Sequence, residues 1–560
     1  MSKRRHLAAS AIVVATAVAL APSAALASSS TSHAGTFVKS SIITTKSGLH
    51  LRTFSTKTSG LKKSVTSPIN ITATITQTDA YSISVDPSAT TDSAPGATSL
   101  TYTYTYGDDD TAQPTSTSTH TYAQIGQYTV TIYASDNLGN STSTEIPVST
   151  DGSDYTAFGP TRVLDTRNGT GVASATQVPA GGTVKLKIED TVSGDATIPT
   201  DVSAVVLNLT VTNAHGSGFV TAYGDGTGPA PTTSNVNYVA GQTVPNLVIV
   251  PVVDGYVDLL NGGQKAGAID LIADVSGYFT PTAGGSGYTS LTPDRLIDTR
   301  NGTGVGARQV PAGGTITVPI AGGDGGQLPA TGITAVALNV TVTNPKGNGF
   351  LTVYPEGESV PNASNVNYVT GQTIANSVIV PVDSAGKVLI TNGGTEAKGT
   401  DIIVDVTGYY SATGASVYAP LTSPVRVLDT RDTTTWKYGP LGNQGYDYLA
   451  LGYQADEGNA NDPSYTGFVL NTTVTNTKGD GFLTVAPDPN TLADYQNGQN
   501  VWPTPPNSSN LNWVKGETVP NLVQASTGQN GIIDIWNLGG SGGNTDLIVD
   551  MFGFYQTPTD

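Results

Sequence analysis

Cysteine is absent from this 560-residue chain, which excludes disulfides and thiolate metal sites as sources of stability. Each folding unit must then stand on a hydrophobic core of its own or on oxygen-ligated ions. Charge is scarce and one-sided: charged residues make up 12% of the chain, with 43 acidic against 25 basic, for a formal net charge of −18. Such a balance repels phosphate backbones and excludes nucleic acid as an expected partner. Histidine numbers five and cysteine none, so the usual nucleophile and base arrangements are missing. Beyond the first residues, no apolar run approaches the roughly 20 residues of a membrane helix.

What is present begins with Lys3-Arg4-Arg5-His6, an apolar run from Leu7 to Ala21, and the small-residue word Ala25-Leu-Ala27. This pattern is that of a secretory signal peptide, residues 1–27, expected to be cleaved after Ala27. Losing Lys3, Arg4 and Arg5 takes the formal charge from −18 to −21. The chain stops at Thr559-Asp560 without a hydrophobic tail. The mature protein is therefore expected outside the cell or held at its surface, without a transmembrane anchor. Residues 28–69 are Ser/Thr-rich, with Lys39, Lys46, Lys57, Lys62 and Lys63 scattered through them, and read as a disordered linker.

The dominant feature is repetition at the scale of a domain. Arg162-Val-Leu-Asp165-Thr-Arg167 returns as Arg295-Leu-Ile-Asp298-Thr-Arg300 and as Arg426-Val-Leu-Asp429-Thr-Arg431. Four further words follow each copy in order: Val205-x-Leu207-x-Leu209-x-Val211 alternation, Gly218-Phe219, Ser234-Asn-Val-Asn-Tyr238, and Asp270-x-x-x-Asp274 with Gly277-Tyr278. Alternation with period two and frequent Gly, Asn and Pro breaks predict strands throughout, in sandwiches or jelly rolls. The fold class expected is all-β, with repeat domains at 153–280, 286–411 and 416–556. The small-residue joints between them predict semi-flexible beads on a string.

Residues 70–150 alternate Thr, Tyr, Val and Ile between Gly and Asp turns, as in Tyr128-Thr-Val-Thr-Ile-Tyr133. The words Val85-Asp-Pro, Tyr104-Thr-Tyr-Gly107-Asp108, Thr119-His-Thr-Tyr122 and Gly126-Gln-Tyr128 resemble the PKD family. The resemblance implies an immunoglobulin-like sandwich used as a spacer in secreted bacterial proteins. One departure is that Asp109 stands where that family's turn ends in glycine. The three repeats, in turn, resemble a β-rich repeat common in secreted actinobacterial proteins. That likeness implies an accessory module beside hydrolases of wall or polysaccharide, although no catalytic partner is visible in this chain.

Several residues are candidates for chemistry. Arg162, Asp165 and Arg167, with Arg295, Asp298, Arg300, Arg426, Asp429 and Arg431, have the donor and acceptor types for bidentate ion pairs, and read as structural locks. On a regular strand Asp165 and Arg167 share one face and Arg162 takes the other. An anionic ligand on the arginines is the alternative. Asp270 with Asp274, Asp401 with Asp405 and Asp546 with Asp550 lie four apart on one strand face. They suit pairing with those arginines, and Ca²⁺ stays open as the alternative; no other cofactor is expected.

The third repeat breaks the pattern, holding Trp436, Trp502, Trp513 and Trp536, all the tryptophan in the chain. Trp513 and Trp536 match apolar or aromatic repeat positions and read as core. Trp436 and Trp502 read as members of insertions at 432–466 and 488–507, with Tyr438, Tyr446, Tyr448, Tyr453 and Tyr495 alongside. Loop aromatics stack on sugar faces, so Trp436, Tyr438, Tyr495 and Trp502 are the expected ligand-binding residues, against the alternative of a satellite core. The function expected is a non-catalytic, extracellular binder of cell-wall polymer or polysaccharide. A purely structural spacer, matrix or adhesion protein and a hydrolase concealed in the third repeat are the competing readings.

Overall fold

The computed structural model describes residues 37–44, 50–57, 67–77, 82–108, 114–122, 127–149 and 152–557, apart from short gaps at 201, 225, 227–228, 264, 282–284, 395–398, 435, 452–464 and 540–542. The signal peptide lies outside the described residues. Within them the regular structure is almost all strand, every ladder is antiparallel, and the one α-helix is the six-residue Leu492–Asn497.

Residues 67–149 form the first sandwich. One sheet contains Thr74–Gln77, Ser82–Asp86 and Thr119–Thr121, and the other Leu100–Thr105, Gln127–Asp136 and Ser141–Ser149. Between them Ile75, Ile83, Tyr104, Tyr122, Val130, Ile132 and Ile146 are buried. Gly107 adopts φ 79°, and a Cβ there would stand 2.6 Å from the Thr129 carbonyl oxygen. The turn thus keeps the glycine it needs, while Asp108 Oδ2 accepts from His120 Nε2 at 2.7 Å. Within the stretch 28–69 expected as a disordered linker, the described residues 37–44 and 50–57 are strands. Phe37–Thr44 and His50–Lys57 pair with one another, and the second pairs with Thr74–Gln77 to widen the first sheet. Phe37, Val38, Ile42 and Ile43 supply strand-forming residues that the Ser/Thr-rich composition hides.

Each repeat is a sandwich of two four-stranded sheets. In the first copy one sheet orders Asp154–Asp165, Asp270–Thr280, Ala204–Thr212 and Val244–Pro251. The other orders Thr183–Lys187, Tyr256–Gly262, Gly218–Gly224 and Val236–Tyr238. Copies two and three repeat both orders strand for strand. Val205, Leu207, Leu209 and Val211 face the core of their own sandwich, as Val336, Leu338, Val340 and Val342 do in copy two. The all-β design, a PKD-type sandwich and then three repeat sandwiches strung in series, is therefore present.

The repeat sandwiches also touch one another. Residues on the other face of the same strands, Ala204 and Val206, meet Ala335, Ala337 and Val469 in a second core. Leu247, Ile249, Ile379, Leu522, Tyr155, Tyr288, Tyr418, Phe279, Tyr410, Phe552 and Tyr555 complete it. All three repeats contribute to this core, so the first sheet of each is buried on both faces. The joints at 281–286 and 411–415 consequently do not set the spacing of the three; the shared core does.

Candidate functional site

The repeated polar words resolve into contacts between neighbouring repeats. A register shift between Arg162 and Leu164 marks a bulge. It brings Arg162 and Asp165 to the same side, against the expectation from strict alternation. Arg162 then donates through Nε and Nη2 to Asp274 at 2.8 and 3.1 Å, and reaches Asp165 at 3.4 Å. Arg167 grips Asp165 through Nε and Nη2 at 2.8 and 2.7 Å. Copies two and three make the same forks, from Arg295 to Asp405 and Arg300 to Asp298, and from Arg426 to Asp550 and Arg431 to Asp429. The bonds from Arg167 hold Asp165 below the usual carboxylate range, whereas burial lifts Asp274 against the pull of Arg162.

Asp274 also accepts from the backbone N–H of Ser364, Asp405 from that of Ser509 at 3.1 Å, and Asp550 from that of Ser234. The Ser-Asn-x-Asn word of each repeat is thus held by the Arg–Asp fork of the preceding one, and the third repeat holds the first. Asparagines close a second cycle. Asn376 donates to Asn208 Oδ1 at 2.8 Å, Asn521 to Asn339 at 3.0 Å and Asn246 to Asn471 at 2.9 Å. Asn208, Asn339 and Asn471 in turn donate to the carbonyls of Ser364, Ser509 and Ser234. The result is a closed ring of three sandwiches.

The four-apart carboxylates are engaged in the same fabric. Asp270 accepts from Thr166 Oγ1 at 2.8 Å and from Asn213 at 2.8 Å. Among the described residues no group of three or more His, Asp and Glu side chains has the geometry to hold a metal.

The third repeat differs on its second sheet. Asp429 to Gly467 spans 38 residues, against 39 from Asp165 to Ala204 and 37 from Asp298 to Ala335, and Ala204, Ala335 and Gly467 occupy one ladder position. The stretch 432–466 is therefore no insertion. Trp436 stands seven residues after Asp429, where Val172 and Val305 stand after Asp165 and Asp298. It fills the core, 4% exposed, with Tyr438 packed beside it, and donates Nε1–H to the Gly439 carbonyl at 3.1 Å. A ring so placed offers no face to a ligand. Tyr453 lies outside the described residues.

The insertion at 488–507 is real. Pro487 to Leu511 spans 24 residues, against 12 from Gly224 to Val236 and 11 from Pro355 to Val366. Its helix Leu492–Asn497 opens on a capping box, with Thr491 and Asp494 bonding each other's backbone N–H. Leu492 and Tyr495 then pack on Tyr448, Ala450 and Ile532 of the outer sheet, with the Tyr495 and Tyr448 rings stacked at 3.7 Å. Tyr495, 3% exposed, serves a satellite core and not the surface. Its hydroxyl donates to Asp488, which also takes two bonds from Asn490. Asp534 lies beside Asp488, and burial together with this neighbour pushes the Asp534 carboxyl far above the usual carboxylate range. At 2% and 1% exposure neither carboxyl meets a substrate here.

Trp502 is the exposed member, at 65%. Its ring meets Tyr446 edge-on at 4.9 Å and Trp536 at 6.1 Å, and Tyr446 stacks on Trp536 at 4.6 Å. Trp536 is thus on the outer face of the sheet and not in the sandwich core. Of the four expected ligand-binding residues, only Trp502 is exposed on this face, with Tyr446 and the buried Trp536 packed against it. The sequence carried a signal for this: Tyr446-x-Tyr448 replaces Thr183-x-Lys185 and Thr315-x-Thr317 at the same outward ladder positions.

No helix among the described residues is long and apolar enough to cross a membrane. No curated protein matches the chain. Among solved structures, one on the specificity of carbohydrate-binding modules from the β-sandwich superfamily is 12% identical, covers 61% of this chain and 95% of its own, and scores TM 0.12. Another, on the triple jelly roll fold and turret assembly in an archaeal virus, is 10% identical over 77% of this chain and 89% of its own, at TM 0.14. A third, the tandem of two such modules from Paenibacillus barcinonensis, is 14% identical over 46% and 99%, at TM 0.13. At these scores no argument rests on the likeness. Residues 66–150, the stretch of the first sandwich, match the family described as the PKD domain.

Proposed function

We propose that this is an extracellular, non-catalytic glycan-binding protein in which a PKD domain precedes a ring of three sandwiches. The ring presents one binding patch, on the outer sheet of the third repeat. The observation that carries the reading is Trp502, an indole 65% exposed on the one insertion that copies one and two lack, seated on Tyr446 and Trp536. Large exposed rings are costly to leave in water and are the usual contact for the C–H face of a sugar. Cell-wall polymer or environmental polysaccharide is the ligand class, and the signal peptide pattern supports release from the cell. The test is retention of the full chain on insoluble cell wall, chitin and cellulose. Wild type is expected to be retained on at least one polymer and Trp502→Ala at least tenfold less; equal retention removes the assignment.

A purely structural extracellular module is the second reading. It is favoured by the repeated Arg, Asp and Asn words, which are spent on contacts within the ring. It predicts no retention on any of the three polymers.

A further inference from the structure

Three of the four tryptophans are buried, and they differ in what their ring N–H meets. Trp436 donates to the Gly439 carbonyl at 3.1 Å and Trp513 to the Gly479 carbonyl at 2.9 Å. Trp536 is equally buried, at 3% exposure, and among the described residues its Nε1–H has no acceptor. Buried donors are seldom left unmade, because the desolvation is not returned. The unpaired N–H is therefore a second observation, independent of exposure, at the same place as Trp502.

What covers Trp536 is Tyr446 on one side and Trp502 above. Tyr446 is fixed in a strand, Gly445–Ala450. Trp502 sits instead in residues 499–506, which form neither helix nor strand. Trp502 is thus the ring contact of Trp536 that no strand or helix pins. No Lys or Arg occurs in 445–450, 481–513 or 532–537, and Asp447, Asp488, Asp494 and Asp534 lie on these elements. A phosphate or carboxylate would find no counter-charge there, so the acceptor that fits is a neutral oxygen.

We infer that Trp536 is the specificity-determining donor of the patch and Trp502 its movable cover. A neutral pyranoside places its C–H face on the Trp502 ring and a hydroxyl or ring oxygen on the Trp536 Nε1–H. The inference rests on the glycan-binding reading above and deepens it.

Trp536→Phe separates the two. It keeps an apolar ring under Trp502 and removes only the unpaired donor, so folding is expected to be unharmed. Retention of the full chain on cell wall, chitin and cellulose should fall about tenfold, the worth of one well-made hydrogen bond in a dry site. Unchanged retention for Trp536→Phe, with Trp502→Ala weakened, overturns the donor and leaves the glycan reading standing. Absence of wild-type retention on all three polymers overturns both. A second measurement does not depend on Trp536→Phe folding. In Trp502→Phe the remaining indoles are 436, 513 and 536, of which two are already hydrogen-bonded in cores. Saturating cellohexaose or chitohexaose, whichever matches the retaining polymer, should shift the near-ultraviolet absorption of a single indole. No shift at saturation overturns the inference.

Discussion

Asp447 shows how one substitution on a shared template changes chemistry. It pairs with Ile535 on the core-facing side of its strand, where Val184 and Ile316 stand in the other copies. Burial pushes its carboxyl up to about 7. Below about pH 4 it is protonated folded or unfolded and has no effect. As pH rises from about 4 to 7 only the unfolded chain ionises, so stability is progressively lost. Each pH unit across that window costs about 1.4 kcal/mol, so Asp447→Val should stabilise the third repeat by roughly 2–4 kcal/mol at pH 7.5. It should add almost none of this electrostatic gain at pH 4. Denaturant unfolding at the two pH values measures it. The fork pairs make the opposite case. Arg295→Ala leaves Asp405, 1% exposed, without its cation and should cost about 3–5 kcal/mol by the same measurement.

At the scale of the element, the insertion 488–507 depends on Tyr495. The ring is stacked on Tyr448 and the hydroxyl is bonded to Asp488. A six-residue helix does not stand on its own propensity. Tyr495→Ala should thus release the insertion as a unit, at a local cost of roughly 3 kcal/mol. Limited proteolysis should then cut within 488–507 while the rest of the ring stays intact, and polymer retention should fall with it. The sequence made this insertion visible by its length and its aromatics. It did not show which aromatics stay outside, because Tyr446, Tyr448 and Trp536 lie in strands whose outward face is set by pairing. Nor did it place Trp436. Its register is plain once counted from Asp429, but the loss of the Asn-Gly-Thr-Gly word after Arg431 obscured that count.

For the whole molecule, the shared core and the asparagine cycle couple the repeats. The three should unfold in one calorimetric transition, with the PKD sandwich free to unfold separately. Asn246 sits in both the axial cycle and a backbone bond to Leu522, at 3.1 Å. Asn246→Ala leaves buried partners unpaired and should cost about 2–4 kcal/mol. It should also broaden or split the repeat transition in calorimetry. The axis is not fully symmetric: Gln524 takes the place of Ile249 and Ile379, and donates to the hydroxyls of Tyr410 and Tyr555 at 2.9 and 2.7 Å. That polar contact is made by repeats two and three alone.

Composition, periodicity and recurrence were enough to read an all-β chain with three like units, a resemblance in its words pointed to a PKD-type sandwich, and the two-residue spacing of Asp165 and Arg167 suited the ion pair they make, because each of these rests on local alternation or on words close in sequence. The closure of the three units into a ring and the role of the Ser-Asn words as grips on the neighbouring repeat were decided by the tertiary structure. So was the burial of Trp436 beside the exposure of Trp502. The ring and its grips rest on contacts between residues far apart in sequence, as over the 237 positions from Ser234 to Asn471. A strand's own pattern says that it has two faces and which one is apolar; only the packed molecule says that the second face is covered as well.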